Sequence, residues 1–95
     1  MGIEQITSLM PRWKSSFIQT SNGAEIDLVL ERGNRKRVFE FKASKAPKLK
    51  PGFWALTESL QPEMAVVVAP VDAPYVYNQN VIVENLGPLT KKLID

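Results

Sequence analysis

Two neighbouring stretches of the chain alternate with period two. In residues 24–31, AEIDLVLE, Ile26, Leu28 and Leu30 fall on one side and Glu25, Asp27 and Glu31 on the other. In residues 36–43, KRVFEFKA, Phe39, Phe41 and Ala43 oppose Lys36, Glu40 and Lys42. Such alternation predicts strands with one buried face. Arg32-Gly33-Asn34-Arg35 lies between them, and Gly-Asn is a favoured centre for a two-residue hairpin turn. With Gly33 and Asn34 as the loop, paired positions sum to 67. Asp27 then faces Glu40, Glu25 faces Lys42, Leu28 faces Phe39 and Ile26 faces Phe41. The completed apolar face supports this register, because a slip of one residue would mix the faces.

Other patterns fill in the order of elements. Residues 3–10, IEQITSLM, predict a short helix with Ile3, Ile6 and Met10 on one side, ended by Pro11. Residues 16–20 read as a strand, and Ser21-Asn22-Gly23 as a turn. Residues 44–51, SKAPKLKP, read as a basic loop, and residues 53–60 as a helix begun near Pro51-Gly52 and stopped before Pro62. The apolar run 64–69, MAVVVA, predicts a strand buried on both faces. Residues 72–74 read as a loop, 81–83 as a last strand and 89–94 as a closing helix. A strand, a helix and a buried strand in succession imply a crossover and some parallel pairing. The fold class is therefore α/β, a mixed sheet with flanking helices. At 95 residues the chain is sized for a single domain spanning 1–95.

Composition narrows the chemistry. The chain has no cysteine and no histidine. Disulfide frameworks, thiolate metal sites and triads that use His or Cys are excluded. A metal would have to be held by oxygen ligands, which points to Mg2+, Mn2+ or Ca2+. No apolar run approaches a membrane span of about 20 residues, and the start, MGIEQITSLM, lacks the pattern of a signal peptide. The expected location is cytoplasmic, with no membrane partner.

Charge is uneven along the chain. Net charge is −2 over residues 1–31, +7 over 32–50 and −3 over 51–95, which sums to the overall +2. The basic segment holds Arg32, Arg35, Lys36, Arg37, Lys42, Lys45, Lys48 and Lys50 against Glu40 alone. A cluster this dense can attract phosphates, or it can solubilise a hairpin tip and a loop. Arg35, Lys36, Arg37, Lys45, Lys48 and Lys50 are the nucleic-acid-binding candidates.

The polar side of the hairpin is the chemically interesting one. Directly opposed residues have Cβ atoms roughly 5 Å apart, where like charges repel. Asp27 and Glu40 in that position need a cation, a proton or water between them, and a divalent metal fits hard oxygen ligands best. Lys42 projects from the same side, placed to support the carboxylates or to orient a water. The competing reading is a solvated sheet face with cross-strand Glu25–Lys42 pairing.

Gly23-Ala24-Glu25-Ile26-Asp27, twelve intervening residues and then Glu40-Phe41-Lys42 resemble the G-x-E-x-D…E-x-K signature of the PD-(D/E)xK nuclease superfamily. The wider run TSNGAEIDLVLE…FEFKASKAPK…GFW…L resembles the C-terminal domain of unknown function that follows a P-loop AAA-type ATPase module in many bacterial and archaeal proteins. This resemblance covers roughly residues 12–85. It implies a restriction-endonuclease-like sheet, and a Mg2+- or Mn2+-dependent phosphodiesterase if the domain is an enzyme. Asp27 and Glu40 would be the metal ligands, Lys42 the catalytic lysine and Glu25 an accessory acid. DNA and an ATPase module are the implied partners.

Two departures from the superfamily weigh on that picture. The segment ahead of the first core strand is short, as in a domain trimmed at its N-terminus, and Glu4 is its only acid. The ATPase-linked branch has no generally established nuclease activity. A non-catalytic, nuclease-like module for protein or DNA contact is the alternative. No P-loop is present, so this chain contains no ATPase module. Trp13, Phe53 and Trp54 are read as packing residues rather than base-stacking ones. Asp72 and Glu84 receive no role, and Lys91 and Lys92 are placed where they favour a helix dipole.

Overall fold

The computed structural model describes residues 2–21, 23–78 and 81–93. Nine elements follow one another: α1 (Gly2–Leu9), β1 (Lys14–Gln19), β2 (Glu25–Arg32), β3 (Arg35–Phe41), α2 (Pro51–Leu60), β4 (Met64–Val68), β5 (Tyr75–Asn78), β6 (Val81–Glu84) and α3 (Leu86–Lys92). The strands form one six-stranded sheet in the order β1-β2-β3-β4-β6-β5. β1, β2 and β3 are an antiparallel meander, β4 lies parallel to β3 and β6 parallel to β4. β5 closes the far edge, antiparallel to β6.

The β2–β3 register is the one expected, with Leu28 opposite Phe39 and Arg32 opposite Arg35. Gly33 takes a φ of +61° in the turn, a left-handed conformation that glycine adopts without strain. The run Ala65–Val68 is buried along its whole length, because helices cover both faces of the sheet. Beneath α1 and α3, Ile6, Met10, Leu89 and Leu93 pack on Leu28, Leu30, Phe39 and Val66. Beneath α2, Phe53 packs on Ile26, Val29, Val38, Ala65 and Val67. Fully burying a ring such as Phe39 or Phe53 contributes about 2–3 kcal/mol.

One departure from strict alternation shapes the rest. Between β1 and β2, Ser16 pairs with Val29 but Ile18 pairs with Ile26. Two residues of β2, Asp27 and Leu28, therefore oppose Phe17 alone. This β-bulge shifts the phase of β2, so Ile26 joins the α2 side while Leu28 and Leu30 stay on the α1/α3 side. The expected apolar face of Ile26, Leu28, Phe39 and Phe41 is thus divided between the two cores, and Phe41 is only half-buried. β5 is a strand that the pattern does not reveal, since Tyr75 and Val76 are both exposed on an edge. The closing helix begins earlier than expected, at Leu86. Asn22 of the expected turn and Ile94 of the expected helix lie outside the described residues.

The hairpin tip is tied down at the far end from the carboxylates. Arg35 and Arg37 both donate to Glu63, at 2.9 and 2.8 Å. Both guanidiniums also sit over the Trp13 ring, 4.8 and 4.6 Å from its centroid. Trp13 is buried, and Arg37 is 7 % exposed. The cluster fastens the α1–β1 junction and the start of β4 to the hairpin.

Candidate functional site

The ladder between β2 and β3 ends at Leu28 and Phe39, and side chains take over from backbone at the next step. The Asp27 amide donates to Glu40 Oε1 at 3.2 Å. The Phe41 amide donates to Asp27 Oδ2 at 2.9 Å. The bulge in β2 makes this exchange possible, because it turns Asp27 out of regular pairing just where β3 carries Glu40. Bulges re-aim side chains in this way beside functional sites.

Glu40 is 5 % exposed, on the same side of β3 as Val38 and Lys42. Its carboxyl is pushed up to about 7, first by burial and then by the neighbouring Asp27 charge. The Asp27 amide and the Lys42 ammonium act in the opposite direction without cancelling them. Lys42 Nζ lies 3.6 Å from Glu40 Oε2. The Lys42 amide donates to Val68 O at 2.9 Å, which holds that residue against β4 after β3 ends.

Glu25, Glu40 and Lys42 open onto a cleft of about 310 Å3 roofed by the start of α2, where Lys50, Pro51 and Gly52 line it. Gly52 is needed there for close approach. A Cβ on it would fall 2.6 Å from Ala24 Cβ. The N-terminus of α2 is therefore pressed onto the strand entry that carries Glu25. Asp27, half-buried, adjoins Glu40 from β2.

Among the described residues, no group of three or more acidic side chains is placed to hold a metal ion. The donor set is two carboxylates. That number suits Mg2+ or Mn2+, which keep several waters and take their remaining ligands from a phosphate. The fit is also electrostatic. Glu40 must lose its proton to act as a ligand, so an ion bound there would displace that proton and relieve the repulsion from Asp27.

The basic candidates divide into two groups. Lys45 and Lys48 are exposed on the loop ahead of α2, and Lys50 is exposed at the N-cap of α2 in the cleft. Lys36 is half-buried and paired across the hairpin with Glu31. Glu63 and Trp13 engage both Arg35 and Arg37, and Arg37 points to the α1/α3 side of the sheet, away from Glu40. Neither arginine flanks the carboxylates.

Glu84, which the sequence pattern leaves without a role, is the most buried acid in the described chain, at 0 % exposure. Lys92 Nζ lies 2.8 Å from its Oε2 and clips α3 onto β6. Its side chain faces α3, so it does not join Asp27 and Glu40. The one hint in the sequence is the acid that closes the VIVE strand.

Residues 3–89 match a family described as a domain of unknown function, DUF4143, and the chain belongs to that family. No curated protein and no solved structure gives a significant match. No helix among the described residues is long and apolar enough to cross a membrane.

Proposed function

We propose that this domain is a metal-dependent, nucleic-acid-associated domain of the PD-(D/E)xK type, acting as a phosphodiesterase, and that it normally stands C-terminal to an AAA-type ATPase module. The observation that carries the reading is the contact between Asp27 and Glu40. Glu40 lines the cleft beneath α2 with its pKa near 7, Asp27 lies beside it, and a lysine stands 3.6 Å away. The resemblance of Glu25-Ile26-Asp27 and Glu40-Phe41-Lys42 to the superfamily signature supports it. The mixed sheet with helices on both faces accommodates a restriction-endonuclease-like fold.

Asp27 and Glu40 would hold the divalent ion, whose charge would neutralise a phosphate and favour attack at phosphorus. Lys42, kept in place by Val68, holds the outer oxygen of Glu40 and offers a proton donor at the cleft. Lys50 and the N-terminal turn of α2 supply positive potential on the opposite wall. Lys45 and Lys48 extend that potential along the approach.

One observation favours the non-catalytic alternative. Both carboxylates already accept backbone amides where the β-ladder stops, so they serve the fold even without an ion. Incubation of the chain with duplex, single-stranded and branched DNA in Mg2+ or Mn2+ separates the two readings. Cleavage that Asp27→Ala and Lys42→Ala abolish, with DNA binding retained, supports the phosphodiesterase. Binding without cleavage of any substrate supports the contact module.

A further inference from the structure

A second cleft, of about 500 Å3, lies at the other end of α2, away from the carboxylates. Its size is that of a small-molecule site. One wall is Trp54, held by the edge of Phe53 at 5.6 Å and by Tyr77 at 5.7 Å. Ala65 and Val81 give an apolar floor, at the starts of β4 and β6.

The polar groups of this cleft share one character. Among the described residues that line it, Glu58 is the only acid, and none is a lysine or an arginine. α2 ends here with no basic residue in its last turn. The negative end of the helix is therefore left without a compensating side chain. The Gln61 amide caps Thr57 O at 3.1 Å, and Gln61 itself takes a left-handed φ of 49°. Gln61 and Asn78 add side-chain amides at the rim.

We propose that this cleft binds a delocalised organic cation, an amidinium or guanidinium, against Trp54. Glu58 and the last carbonyls of α2 balance the charge. The indole face contributes a cation–π contact. An anion would meet Glu58 and the helix C-terminus with repulsion. A neutral ligand would forgo the attraction of Glu58 and of the helix C-terminus. The cation could be a free aromatic amidine or the arginine side chain of a partner, and the two sources present the same chemistry to the cleft.

The test is titration of the full chain with benzamidine and with argininamide, followed through the indole N–H signals of its two tryptophans. Saturable shifts of the Trp54 signal with a steady Trp13 signal are expected. Glu58→Gln, a change at an exposed position, should weaken binding about fivefold, as removal of one partly screened charge pair does. Benzamide, the neutral isostere of benzamidine, should bind at least about fivefold more weakly for the same reason. Tighter benzamidine assigns the site to a free aromatic cation, and tighter argininamide to a partner's side chain. Absence of saturation with both cations, or equal binding of benzamide or adenosine, overturns the proposal.

Discussion

Asp27 and Glu40 hold each other through the backbone as well as through charge. The Asp27 amide reaches Glu40 Oε1 at 3.2 Å, while Asp27 Oδ2 takes the amide of Phe41, the residue after Glu40. Two like charges are thereby fixed side by side at the point where β2 and β3 part. The repulsion is relieved by a proton on Glu40, or by a cation in its place.

Stability of the metal-free chain should consequently fall as the pH rises from about 4.5 to about 7. Glu40 keeps its proton to about 7 when folded, against an ordinary value of 4.5. The folded state binds more protons than the unfolded one across that window, so raising the pH favours unfolding. The loss should be on the order of 2 kcal/mol once solvent screening is allowed for. Glu63 acts with the opposite sign. Its carboxyl is held down at about 2, chiefly by hydrogen bonds from Arg35 opposed by some burial, with Arg37 adding to the effect. The stabilisation it gives is present above 4.5 and is lost as the pH falls toward 2. Because Glu63 is partly exposed, that loss should be only about 1 kcal/mol. Urea unfolding between about pH 3 and about pH 8 should therefore peak near the ordinary glutamate value. Glu40→Gln should remove the decline on the neutral side and Glu63→Gln the decline on the acid side. A wild type that gains stability between about pH 4.5 and about pH 7 would contradict the assignment to Glu40.

Gly52→Ala should destabilise the domain by about 1–3 kcal/mol, as overpacking does. The added Cβ would meet Ala24 Cβ at 2.6 Å and push α2 off the entry of β2. Ala24→Gly in the same chain should recover most of the loss, because it removes the atom in the way. Unfolding curves of the two single variants and the double variant measure the coupling. Additive effects would show that α2 is not seated by this contact.

Much of the fold is readable because β2, β3 and β4 carry strong local signals. The Gly33-Asn34 turn fixes the pairing of Leu28 with Phe39, and so brings Asp27 next to Glu40. What stays hidden depends on partners distant in the chain. The bulge opposite Phe17 needs β1 to be in place, and without it Ile26 reads as a neighbour of Leu28. β5 has no buried run to announce it, since it is an edge strand that pairs only with β6. Arg35 and Arg37 look like part of a basic cluster until Glu63 and Trp13 are brought against them, the first from 26 residues or more away and the second from the α1–β1 junction. Glu84 shows its burial only once α3 folds back and presents Lys92.

That division of the basic residues has its own consequence for nucleic-acid binding. Replacing Lys45, Lys48 and Lys50 by Ala should weaken DNA binding and flatten its dependence on salt, by about one unit of slope for each phosphate no longer neutralised. Arg37→Ala should leave that slope unchanged and lower stability by about 2 kcal/mol, since it removes a partly buried ion pair and a cation–π interaction. Filter binding over a range of salt, alongside urea unfolding, checks both. A salt slope that responds to Arg37 and not to the lysines would reverse the assignment.

Calorimetric titration of the chain with Mn2+ near neutral pH shows whether Asp27 and Glu40 together form the proposed divalent cation site. Binding at one site per chain is expected, with release of a fraction of a proton that depends on the pH, because the ion displaces the proton held by Glu40. Asp27→Ala should abolish the binding. Magnesium should raise the melting temperature of the wild type more than that of Glu40→Gln, because an ion that binds only the folded state stabilises it by mass action. Heat of dilution alone in the wild type, or the same binding and proton release in Asp27→Ala, would contradict the claim.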